Sequence, residues 1–99
     1  MFENIDDITV DYEEGGQLLV KELDKVVLSK GAWTTILFRF KQWDNKLEDY
    51  GPERYIIRRY RKMQGEYKPQ SKFTISSVRQ AKMIVEALNT WIEAAESQE

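Results

Sequence analysis

A chain of 99 residues with a formal net charge of −2 and neither Cys nor His suits one compact domain. It has no disulfide, no thiolate metal site, no imidazole ligand for zinc and no histidine general base. No apolar run approaches the ~20 residues of a membrane-spanning helix, and MFENIDDITV is acidic where a secretory signal is basic, so we expect a soluble, cytoplasmic protein (nucleoid-associated if bacterial).

The charge is laid out in blocks. Residues 1–25 carry eight Asp/Glu and two Lys (net −6), residues 26–73 eleven Lys/Arg and five Asp/Glu (net +6), and residues 74–99 two cations and four Glu (net −2). The middle block has the electrostatic footprint of an anion binder, although such blocks also arise by internal pairing.

In chain order, residues 1–16 read as a loosely held acidic arm ending in Gly15-Gly16. Its alternation Ile5, Ile8, Val10, Tyr12 allows docking as an edge strand. Residues 17–96 form the domain and 97–99 a tail. QLLVKELDKVVLSKG permits a helical stripe (Leu19, Leu23, Val26, Val27), but KVVLS favours a strand over about Lys21–Ser29, turned at Gly31. AWTTILFRFKQW is the clearest strand, with Thr34, Ile36, Phe38 and Phe40 on a core face. Trp33, Thr35, Leu37, Arg39, Lys41 and Trp43 fall on the other face.

DNKLEDYGPE reads as a long hairpin loop, and its Asp44, Glu48, Asp49 and Glu53 lack the spacing of a calcium loop. RYIIRRYRKM is the next strand. We assign Tyr55 and Ile57 to the core face, with Arg59 and Arg61 trailing toward an edge; the alternative for these two is surface pairing with Glu48, Asp49 or Glu53. Arg54, Ile56, Arg58, Tyr60 and Lys62 take the opposite face. QGEYKPQ reads as a turn-rich connection and SKFTIS as a short last strand. From Val78 the period changes: Ala81, Ile84, Val85, Leu88, Trp91, Ile92 and Ala95 mark one amphipathic helix, capped by Ser77 with Gln80 in capping-box position.

The expected fold class is therefore α+β: a four-stranded antiparallel meander followed by one C-terminal helix lying across one face. One helix covers one face, so the other, with its cations and aromatics, is left for a ligand. The apolar arc of the helix is wider than one small sheet requires. Unless the arm folds back over it, we expect a homodimer through Ile84, Leu88, Trp91 and Ile92.

YIIRRY followed by GEYKPQSKFTIS, with the opening GAWT of the preceding strand, resembles the single-stranded-DNA-binding domain of transcriptional positive cofactor 4 and its bacterial relatives. The resemblance spans roughly residues 18–95 and rests on the order and spacing of several motifs. The eukaryotic member has Gly where this chain has Phe73, and an aromatic where it has Arg61. The resemblance implies a homodimer paired through its helices and basic, aromatic-lined channels for unpaired strands; its motifs align with Arg58, Tyr60, Lys68 and Lys72.

Phosphates ask for cations and unpaired bases for stacking surfaces. The expected nucleic-acid site is Trp33, Arg39, Lys41, Arg58, Tyr60, Lys62, Lys68 and Lys72, with Arg58, Tyr60 and Lys72 sharing one solvent-open surface. The partner is then single-stranded DNA, or RNA, bound with little sequence preference in transcription, repair or replication. No catalysis, metal, cofactor, small-molecule substrate or membrane is expected. The competing class is a protein-interaction module that docks its cationic face on an acidic partner.

Overall fold

The computed structural model describes residues 2–98; Met1 of the arm and Glu99 of the tail lie outside the described residues. The chain is α+β. A six-stranded antiparallel sheet is formed by β1 (Tyr12–Glu14), β2 (Gln17–Ser29), β3 (Trp33–Asp44), β4 (Asp49–Tyr50), β5 (Arg54–Met63) and β6 (Glu66–Ile75), in the order β1-β2-β3-β5-β6 with β4 beside β3. One helix, α1 (Val78–Glu96), follows. The four expected strands are the four long ones. The sheet adds two short ones, β1 from the arm and β4 from the loop after β3.

Residues 17–29 are strand throughout. Their alternation was obscured by bulges near Leu23 and Leu28. Each bulge inserts a residue and reverses the parity of the strand beyond it, so Val20, Glu22, Lys25 and Val27 all share the face of Phe40, Phe38 and Ile36.

Two-residue turns close both outer hairpins. Gly15 and Gly16 (φ 58° and 81°) join β1 to β2, and Gln64 and Gly65 (φ 54° and 80°) join β5 to β6. Positive φ at both central residues matches the strand twist. The connection expected over QGEYKPQ is thus confined to Gln64-Gly65, and β6 continues through Pro69 with a bulge at Gln70. Proline is admissible there because β6 is the sheet's edge.

The register between β3 and β5 corrects the assignment of faces. Thr34 lies opposite Tyr60, Ile36 opposite Arg58, Phe38 opposite Ile56 and Phe40 opposite Arg54. Cross-strand partners point the same way, so Arg54, Ile56, Arg58 and Tyr60 belong to the core face. Tyr55, Ile57, Arg59 and Arg61 belong to the other, with Trp33 and Arg39. A slip of one residue exchanges every side chain in a strand between faces, and β5 has bulky residues at both parities.

That core face is covered by the N-terminal arm. Ile8 is fully buried and Val10 nearly so, in one cluster with Ile36, Phe38, Phe40, Ile56, Tyr60 and Tyr67. The arm enters at β6, where the Phe2 carbonyl accepts from the Tyr67 amide (2.7 Å), and turns once through Ile5–Asp7. It leaves at β2, where the Asp11 carboxylate accepts from the Glu22 amide (2.6 Å). The Lys25 ammonium donates to the carbonyls of Ile5, Asp6 and Ile8 (3.0, 3.0 and 2.7 Å), and Glu22 accepts from the Thr9 hydroxyl (2.7 Å). The expectation of a loosely held arm is overturned: residues 2–10 supply a layer of the core.

The helix is where the sequence placed it. Ser77 Oγ accepts from the Gln80 amide (3.0 Å), and the Gln80 side chain reaches back to the amide of Ser76 (2.8 Å). The helix does not lie across a sheet face as expected. It touches the sheet chiefly at β6 and has no buried residue; only Ala81, Ile84 and Ala87 are half-buried. The radius of gyration, 16.1 Å, exceeds the ~13 Å typical of a chain this long, which fits a helix standing off the sheet. It is not long and apolar enough to cross a membrane.

If the arm is core, Ile8→Ala costs about 2–5 kcal/mol in urea denaturation, whereas Leu47→Ala in the loop after β3, where the side chain is 67% exposed, costs under about 0.5 kcal/mol.

Candidate nucleic-acid interface

The sheet divides the eight expected site residues between its faces. Arg58, Tyr60, Lys62 and Lys72 lie on the face that carries the arm; Trp33, Arg39, Lys41 and Lys68 lie on the other. They do not form one surface.

On the arm face, Arg58 and Lys72 are directly opposed across β5 and β6. Cβ atoms in such a pair lie about 5 Å apart. Both line two adjoining grooves. One is bounded by Pro69, Gln70 and Ser71, where an extra residue bulges from the edge strand. The other is floored by Phe40 and Ile56 and walled by Val10, Val20, Arg54 and Thr74. Arg54 has only a long hydrogen bond to Gln42 (3.4 Å), and Arg58 Nε is buried with no partner among the described residues. Among the described residues no carboxylate pairs with Arg54, Arg58 or Lys72. The combined groove stays open because the arm has already turned away to β2.

Tyr60 shares this face but not the groove. It is 1% exposed and cannot stack on a base, so the expected platform is withdrawn. The reason is parity: it sits opposite Thr34, beneath the arm. Burial pushes its phenol above the ordinary 10.0, the neighbouring Arg58 guanidinium pulls it partly back, and the Glu22 carboxylate adds to the rise. Lys62 lies over the Tyr67 ring (5.5 Å) in a cleft that it shares with Lys30 and the arm's Glu3, Asp6 and Asp7.

On the opposite face, Trp33 is 39% exposed. The Arg59 guanidinium lies 4.5 Å, and that of Arg61 5.3 Å, from its ring centroid. Neither arginine pairs with Glu48, Asp49 or Glu53; it is Arg39 that holds Glu53, at 3.0 Å. Lys68 is the cross-strand partner of Arg61. Lys41 is further along, opposite Lys21, and Lys21 lies over the Tyr50 ring (5.5 Å). Trp43 packs edge-on against Tyr50 (5.2 Å) and donates to Asn45 Oδ1 (2.9 Å), so it serves the loop. Asp44 accepts from the amides of Lys46 and Leu47.

Sequence reasoning missed Arg54, Arg59 and Arg61. Arg54 has the parity of Arg58, which was legible in RYIIRR; the other two become partners of Trp33 only once the β3–β5 register is known. Comparison with family models, curated proteins and solved structures finds no match.

The buried phenol makes a pH signature. Its folded pKa is raised above 10.0, so the native state holds the proton more tightly and stability is full below pH 10 but falls as pH rises beyond it. Thermal melts from pH 8 to 11 should show this fall, and Tyr60→Phe should reduce it. The substitution should cost about 1 kcal/mol or less at neutral pH, because the hydroxyl makes no hydrogen bond of good geometry among the described residues and only neighbours the Arg58 guanidinium.

Proposed function

We propose that the protein binds single-stranded DNA or RNA with little sequence preference, its phosphates held in the groove of Arg54, Arg58 and Lys72. The observation that carries this is the pairing of Arg58 with Lys72 beside Arg54, three cations around one open groove with no carboxylate partner among the described residues. Like charges directly opposed across strands are unfavourable unless something anionic lies between them. A narrow, half-apolar groove at a sheet edge suits a single strand, whose backbone bends over it while Phe40 and Ile56 form its floor. The resemblance of YIIRRY and GEYKPQSKFTIS to positive cofactor 4 supports the same two residues, Arg58 and Lys72. A role in transcription, repair or replication, in the cytoplasm or on the nucleoid, follows from that reading.

The chain works as a homodimer paired through α1. Leu88 (46% exposed), Ile92 (48%) and Trp91 (67%) lie open on a helix that the chain's own sheet scarcely touches. A contiguous apolar stripe of this kind needs cover, and the arm, the other segment able to supply it, is already engaged on the sheet. Ile84, half-buried, continues the stripe. A second copy brings an identical stripe, and two such helices are self-complementary about a two-fold axis.

Arg58→Ala and Lys72→Ala should each weaken binding to oligothymidine and to mixed single strands alike, and lower the salt slope by about 0.7 per contact. Single strands should be preferred to the matching duplex. Equal affinity for duplex and single strand, or binding only to an acidic protein, contradicts the proposal. Leu88→Glu should convert the protein to a monomer in sedimentation equilibrium, and an unchanged dimer mass contradicts pairing through the helix.

A further inference from the structure

We propose that each chain has a second strand-binding site, on the opposite face of the sheet at Trp33, Arg59, Arg61 and Lys68, and so holds two single strands back to back. This rests on the function proposed above.

The β5–β6 hairpin carries a like-charge pair on each face. Arg58 opposes Lys72 on the arm side, and Arg61 opposes Lys68 on the other. Each pair works against the hairpin that contains it. One such pair is explained by the groove already described; the second lies on the far side, out of reach of the same phosphates. Among the described residues it has no ion-pair partner either.

The second pair also brings what the first lacks. Trp33 is exposed, with Arg59 and Arg61 at 4.5 and 5.3 Å from its ring. Guanidinium groups stacked on an indole are held in place, and their N–H edges stay directed outward for a phosphate. The part of Trp33 that stays exposed (39%), together with the planar guanidinium groups stacked on it, offers a surface on which an unpaired base can stack. The first groove holds backbone; this cluster holds backbone and base.

Arg58 and Arg59 are consecutive in one strand, so the two sites are separated by a single sheet. The molecule's shortest extent is 18 Å. A strand in one site reaches the other only by folding sharply over β6, whereas two strands occupy both without contact. The sites thus place two nucleic-acid segments on opposite sides of one hairpin, as a protein that brings unpaired strands together requires.

The test is the stoichiometry, per chain, of a short oligothymidine (about 8 nucleotides, within the site sizes of single-strand binders), by calorimetry at low salt. Two strands per chain are expected for the unmodified protein. Arg59→Ser with Arg61→Ser should bind one, and so should Arg58→Ser with Lys72→Ser. Lys68→Glu turns the like-charge pair into an opposite-charge pair; it should melt at or above the original temperature and still lose the second strand, which keeps the test independent of folding. Quenching of Trp33 fluorescence, assigned with Trp33→Phe, should survive Arg58→Ser with Lys72→Ser. One strand per chain, lost with Arg58 and Lys72 but kept without Arg59 and Arg61, overturns the second site and leaves the first standing. No strand bound by the unmodified protein overturns both.

Discussion

The register of β3 against β5 governs the rest of the molecule. Because Ile36 faces Arg58 and Phe38 faces Ile56, Ile36, Phe38, Phe40, Ile56 and Tyr60 fall on one side and form the core. Burying side chains of this size is worth about 1.5–3 kcal/mol each, and α1 contributes no buried residue to that cover. The N-terminal arm does so instead, with Ile8 and Val10 as its anchors and Lys25 and Glu22 fixing its backbone. The same register sets Arg58 at the margin of the covered area, where the arm has turned off toward β2 and the groove begins.

The middle block of the sequence is strongly cationic, but the fold gives its cations different work. Arg39 is held by Glu53, Lys62 sits against Tyr67 near the acidic arm, and Lys41 is placed with Lys21 near the loop that Trp43 and Tyr50 organise. Outside the block, Lys25 ties down the arm. Lys30 shares the cleft of the acidic arm and Lys46 lies in the loop after β3, which leaves two groups on the β5–β6 hairpin, Arg54 with Arg58 and Lys72, and Arg59 with Arg61 and Lys68. Both are sets of like charges without a salt bridge among the described residues. That is a cost to the isolated chain, and it is the physical ground for assigning them an anionic partner.

Some of this was legible in the sequence. The alternation of Thr34, Ile36, Phe38 and Phe40 marked the core face of β3, and the change of period at Val78 with Ser77 and Gln80 marked the helix and its cap. The face of β5 was not legible, because Tyr55 and Ile57 make as good an apolar row as Ile56 and Tyr60, and only pairing with β3 decides between them. The arm's role was hidden by its acidic composition: six carboxylates surround the two aliphatics that are buried. In β2, bulges broke the period-two pattern. In β6, Pro69 looked like a stop although an edge strand tolerates it. For the site, the expected grouping of residues on one surface did not hold, since grouping is a property of register.

The most direct test of the account is a nuclear magnetic resonance titration of the full chain with single-stranded oligothymidine, following backbone amides and arginine side chains. The account predicts that the largest shifts fall on Arg54, Arg58 and Lys72. Shifts confined to α1 or to the loop after β3, with those three residues unmoved, would contradict it.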